Sequence, residues 1–72
     1  MLRLADDGAD TDAEHDLALW RPHVIPAGWI VFDDWAFASG VRRAADAFIA
    51  RDEVHIAARF RAGPALFVQL KR

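Results

Sequence analysis

Trp29-Ile30-Val31-Phe32-Asp33-Asp34-Trp35 decides how the rest of the chain is read. Four apolar residues, mostly β-branched or aromatic, follow Gly28 and run straight into two carboxylates. A continuous apolar run of this length reads as a strand covered on both faces, as in a parallel α/β sheet. Asp33 and Asp34 are poor strand residues and end it. In open α/β sheets ligands sit beyond the carboxyl ends of the strands, which is where this pair falls.

The flanking segments supply what such a strand needs. Upstream, Thr11-Asp12-Ala13-Glu14 matches a capping box, and Asp12, Glu14 and Asp16 suit the positive end of a helix dipole. Ala13, Leu17 and Trp20 form one apolar stripe, and Pro22 ends or kinks the helix. Pro26-Ala27-Gly28 is a turn. Downstream, Ser39 is read as an N-cap for a helix from Val41 to about Arg51. Val41, Ala44, Ala45, Phe48 and Ile49 mark its apolar face, and Arg42 can pair with Asp46 four residues on. Val54, Ile56, Ala58 and Phe60 alternate with polar or small residues, which predicts a strand with one polar face. Arg61-Ala62-Gly63-Pro64-Ala65 has hairpin length, and Leu66–Leu70 is the last strand, antiparallel to its neighbours. The two strands joined by the second helix should be parallel. Residues 1–10 read as a flexible acidic start, and 11–72 as one partial α/β domain.

Composition narrows the function classes. Seventy-two residues allow one small domain with a modest core. At 54% hydrophobic, with three Trp and five Phe, the chain is apolar for its size, which points to a missing partner. The absence of Cys excludes disulfides and thiolate metal sites and makes a reducing cytoplasm the default location. No apolar stretch reaches membrane-span length, and the start lacks a signal-peptide core. Net charge is −2 but polarised: residues 1–16 hold six acids against Arg3, and residues 41–72 hold seven bases against three acids. The bases are scattered among apolar residues, singly or in pairs, the pattern of solvated faces rather than a nucleic-acid surface. His15, His23 and His55 lack zinc-ligand spacing; the first is a solvated helix residue, the second a cap for helix carbonyls, and the third lies on a polar strand face. Trp20 and Trp29 read as core aromatics. Trp35, just past the acids, reads as core or as the edge of a substrate mouth.

Asp16-Leu17-Ala18-Leu19-Trp20-Arg21-Pro22, Pro26-Ala27-Gly28, Ile30-Val31-Phe32-Asp33-Asp34-Trp35, Gly40-Val41-Arg42-Arg43-Ala44 and Gly63-Pro64-Ala65-Leu66-Phe67-Val68 follow one another in an order with a precedent. Over residues 13–72 the chain resembles the C-terminal part of class I S-adenosylmethionine-dependent methyltransferases, in the group of macrocin and novobiocin sugar O-methyltransferases. The resemblance implies a Rossmann-like seven-stranded sheet in which the last strand forms a hairpin and inserts between Trp29–Phe32 and Val54–Phe60. It also implies that Asp33 and Asp34 help to hold Mg2+, which takes hard oxygen ligands and orients a hydroxyl substrate. The group's Pro-Gly-Gly is Pro26-Ala27-Gly28 here, and its Asp-Gly-Asp-His-like loop has only a partial counterpart in Asp7-Gly8-Ala9-Asp10, so a third metal ligand from Asp7 or Asp10 stays open. The Gly-rich turn that would bind S-adenosylmethionine has no counterpart, since Gly8, Gly28, Gly40 and Gly63 lie far apart. The expectation is therefore a methyltransferase segment that supplies metal carboxylates and a substrate edge and is inactive alone. With the upstream strands absent, one edge of Trp29–Phe32 should be unpaired and prone to self-association. The alternative is a non-catalytic interaction module, a degenerate remnant that pairs through an open sheet edge.

Overall fold

The structure, a computed structural model, describes residues 1–4, 12–37 and 39–72. Its elements are β1 (Leu2–Leu4), α1 (Asp12–Trp20), β2 (Trp29–Phe32), α2 (Ser39–Asp52), β3 (Ile56–Ala62) and β4 (Ala65–Leu70). Short 3-10 turns follow α1 (Arg21–His23) and α2 (Glu53–His55). The sheet order is β1-β2-β4-β3. β1 and β2 are parallel, while β4 is antiparallel to both β2 and β3. β2 and β3 therefore run in the same direction with the last strand between them, as expected. Among the described residues no helix is long and apolar enough to cross a membrane.

Two parts of the sequence reading change here. Leu2–Leu4 is a strand rather than part of a loose start. Its parallel pairing, Leu2 with Ile30 and Leu4 with Phe32, occupies the β2 edge that was expected to be open. The outer strands of the sheet are thus β1 and β3. Residues 5–11, which include Thr11 of the capping box and the acids Asp7 and Asp10, lie outside the described residues.

The helices share one sheet face. Leu4, Ile30, Phe32, Leu66, Val68 and Leu70 of the strands pack with Ala13 and Leu17 of α1 and Val41, Ala44, Ala45 and Phe48 of α2. Phe32 and Phe48 lie at its centre, fully buried with ring centroids 6.1 Å apart. The α2 stripe matches its sequence period; the helix begins at Ser39 itself, earlier than an N-cap role for that residue implies. Trp20 does not join the core: it is half exposed and tilts against His23, because the chain leaves helical geometry at Arg21-Pro22.

The other sheet face has no described helix on it, contrary to the expectation of two covered faces. Trp29 and Val31 point there, Val31 opposite Phe67, and Phe67 opposite Phe60. Phe60 stacks on Phe67 at 4.9 Å and meets Trp29 edge-on at 5.6 Å. This aromatic layer buries Val31. Phe60 reaches it through a register shift. Ile56 pairs with Leu70 and Ala58 with Gln69, which leaves Ala57 as one extra residue, a β-bulge. Past a bulge the two faces exchange. Phe60 and Ala58 lose the face of Ile56, and Arg59 and Arg61, opposite Val68 and Leu66, take it.

Two turns use positive φ. Gly63 (φ 58°) and Pro64 join β3 to β4 in a two-residue loop with Gly at its first central position, the type II′ pattern. Before β2, Gly28 N–H donates to Ile25 O at 2.9 Å across Pro26-Ala27, with Ala27 at φ 63°. Pro followed by a positive-φ residue is a type II turn, which prefers Gly where Ala27 stands.

Candidate functional site

The carboxyl end of β2 holds three residues singled out from the sequence, Asp33, Asp34 and Trp35, and the chain sends them to different places. Asp33 continues the strand direction. Its N–H donates to Leu4 O at 2.7 Å, and its carboxylate faces the Arg3 guanidinium. Arg3 Nε bonds to Oδ2, and Nη2 reaches Oδ1 at 3.3 Å, a two-pronged ion pair between β1 and the end of β2. The hydrogen bond from Asp33 and then its charge raise the Arg3 pKa above the ordinary arginine value. The pair is largely solvent-exposed on the arginine side, so screening limits what it adds to stability.

Asp34 sits at φ 56°, a left-handed conformation that Asp tolerates better than most residues. It turns the chain sharply out of the strand. Phe37 N–H donates to Asp34 O at 2.9 Å, and Ala36 N–H donates to Pro64 O at 3.0 Å, which ties this turn to the tip of the β3–β4 hairpin. A turn at Asp34 is what two successive strand residues need in order to approach one ion. The donor set suits Mg2+ in kind, since that ion accepts one or two protein carboxylates with several waters. Asp34 is exposed, and Asp33 would share its carboxylate between the ion and Arg3. Among the described residues no three His, Cys, Asp or Glu side chains are placed to hold a metal together. His15, His23 and His55 are all exposed.

Trp35 folds back toward the helices and packs on the edge of the core. Its indole N–H donates to Asp46 Oδ1 of α2 at 3.3 Å. The Arg42 guanidinium carbon lies 4.5 Å from the Trp35 ring centroid and that of Arg61 lies 4.9 Å from it. The expected Arg42–Asp46 ion pair is therefore replaced: Arg42 stacks on the indole and Asp46 accepts its N–H. Beside Trp35 a groove of about 510 Å³ opens between α2 and β3. Ile49, Ala50, Phe60 and Leu66 give it an apolar wall, while Asp46, Arg59 and Arg61 contribute the charges. Arg59 and Arg61 escaped the sequence reading as site residues, because simple alternation places them away from the helices. The hairpin register pairs them with Val68 and Leu66 on the helix side, and the bulge at Ala57 lets Ile56 share that face. A run of small residues, Ala57-Ala58, ahead of the arginines is the one sequence hint of it.

No family model matches this chain, and no curated protein or solved structure is significantly similar to it.

Proposed function

We propose that this chain is the C-terminal segment of a Rossmann-like, S-adenosylmethionine-dependent O-methyltransferase, contributing the hydroxyl-substrate edge and metal carboxylates. The observation that carries the reading is the strand order. A parallel pair followed by a helix and a C-terminal hairpin, with the last strand inserted next to β2, is the arrangement that the resemblance implies. The surroundings of β1 support it. β1 is an outer strand of three residues, yet parallel strands are usually interior. Exposed Met1, Trp20 and Ile25 cluster beside it and would be covered by a preceding half-domain. The aromatic layer of Trp29, Phe60 and Phe67, on the face that no described helix covers, would be covered in the same way.

The division of labour follows from the residues present. The four glycines lie too far apart in the sequence for a Gly-rich cofactor turn, so the cofactor would belong to the upstream half and no step is assigned to it here. Asp34, with Asp33, would hold Mg2+, whose chemistry is to orient a substrate hydroxyl and stabilise its developing negative charge. Arg3 fixes Asp33 and keeps the strand end in place. Trp35 lines the approach beyond the carboxylates. In a polypeptide that restores the upstream half, Asp34→Asn should abolish methyl transfer and leave cofactor affinity nearly intact. An unchanged rate would mean that the acidic pair only ends a strand.

A second reading is a non-catalytic interaction module, a methyltransferase remnant that pairs with another chain. The exposed aromatic layer centred on Phe60 favours it. A stable dimer in sedimentation, with no methyl transfer from the completed polypeptide, would select it.

A further inference from the structure

The groove beside Trp35 has a chemistry that neither the acidic pair nor a methyl-donor site explains. Its wall is mostly apolar, from Ile49, Ala50, Phe60, Leu66 and the indole. Its charged side chains are Arg59, Arg61 and Asp46. Asp46 is occupied by the Trp35 N–H. Two guanidinium groups against one carboxylate leave the wall positive, and Arg42 on the Trp35 ring adds to that charge. Among the described residues no carboxylate forms an ion pair with Arg59 or Arg61; the two ion pairs there are Arg3–Asp33 and Arg51–Asp52. The Arg61 guanidinium carbon lies over the indole ring, 4.9 Å from its centroid. A guanidinium beside an aromatic ring gains a cation–π contact and still offers N–H donors in a fork that fits a carboxylate. The volume, about 510 Å³, lies within the range of small-molecule sites.

We propose that this groove binds a small amphiphilic monoanion, a planar apolar body bearing one carboxylate, with the body against Ile49, Leu66 and Trp35 and the carboxylate on Arg59 and Arg61. Charge complementarity selects the occupant. A mostly apolar wall with two guanidinium forks matches a weakly hydrated carboxylate better than a strongly hydrated phosphate or a neutral ring. The site stands on the α2–β3 geometry and does not depend on the methyl-transfer reading.

The test titrates the intact chain with naphthalene-2-carboxylate, naphthalene-2-methanol and inorganic phosphate while following the three indole N–H signals by 15N-correlated NMR. Trp35→Phe assigns the reporter signal. The carboxylate should shift the Trp35 signal saturably and leave those of Trp20 and Trp29 in place. The neutral alcohol should bind at least tenfold more weakly, and inorganic phosphate should give no saturable shift. Arg61→Gln and Arg59→Gln, both at exposed positions and compatible with folding, should each weaken the carboxylate at least tenfold. The circular dichroism spectrum of each variant reports that the fold is kept. Equal affinity for acid and alcohol would overturn the proposal. So would a shift confined to Trp29 on the opposite sheet face, saturation by inorganic phosphate, or a Trp35 shift that follows protein concentration alone and so marks a second copy in the groove.

Discussion

Phe48 and Phe60 are chemically identical and sit on opposite sides of the sheet, and truncating each to Ala tests how the sheet is faced. Phe48 has no solvent exposure and packs on Phe32 within the helix-covered core. Its loss removes the transfer free energy of the ring and leaves a cavity, together costing about 3–5 kcal/mol. Phe60 is 50% exposed. Full burial of a Phe side chain contributes about 1.5–3 kcal/mol, so half-burial gives about 1 kcal/mol. The lost stacking on Phe67 and edge contact with Trp29 add about 0.5–1 kcal/mol, and solvent fills the space. Phe60→Ala should therefore cost about 1–2 kcal/mol. A domain of this length has a total stability of roughly 4–10 kcal/mol. Urea unfolding followed by circular dichroism, with a slope of about 1 kcal/mol per molar for so small a chain, resolves the difference. Phe48→Ala should shift the midpoint down by about 3–5 M, or abolish the transition if the parent stability is about 4 kcal/mol, while Phe60→Ala should shift it by only about 1–2 M. If Phe60→Ala is as damaging as Phe48→Ala, Phe60 belongs to the core. The bulge at Ala57 would then be wrong, and Arg59 and Arg61 would not face Trp35.

Deleting Ala57 should remove the bulge yet keep Arg59 opposite Val68 and Arg61 opposite Leu66, because the two-residue hairpin fixes that register, so the Trp35 indole signal should still respond to naphthalene-2-carboxylate; a lost response would show that the hairpin does not set the face of the arginines. Ala27→Gly should stabilise the chain by about 0.5–1 kcal/mol in urea unfolding, because Ala pays a left-handed backbone penalty at φ 63°. Gly28→Ala should instead destabilise by about 1–3 kcal/mol, since its new Cβ would stand 2.7 Å from Ile25 O and the backbone would have to move. Asp33→Asn should speed amide exchange at the substituted position and in β1 with little change in the global midpoint, because it removes an exposed staple. The raised pKa of Arg3 means that its contribution is complete below the ordinary arginine value and is lost only above it. Protection of β1, corrected for intrinsic exchange, should therefore be unchanged from pH 7 to about 10; a loss within that window would show that another group holds the strand.

The parts of the fold that were legible in the sequence are those with a local period or a strong turn. The apolar run 29–32, the α2 stripe from Val41 to Phe48 and the Gly63-Pro64 hairpin each carry their own signal. β1 has none: Leu2-Arg3-Leu4 is too short to show a period, and its stability comes from a partner strand distant in sequence. The bulge is equally silent, because Ala57 and Ala58 fit either face and only the pairing with Leu70 and Gln69 decides. The hairpin register puts the arginines rather than Phe60 on the side of Val68 and Leu66, and the bulge lets Ile56 share that face. Trp20 was misplaced because the apolar stripe of α1 was extended to the helix end, where Arg21-Pro22 redirects the chain. Asp33 and Asp34 were legible as neighbours at a strand end, but Arg3 as the partner of Asp33 was not, because it follows from β1.

The reading of the chain as a methyltransferase segment is tested most directly by calorimetric titration of S-adenosylmethionine into the chain alone and into a polypeptide that restores the upstream half. The account predicts no saturable heat from the chain alone, which has no Gly-rich turn to receive the cofactor, and one-to-one binding by the restored polypeptide. A one-to-one isotherm at micromolar affinity from the chain alone would contradict it.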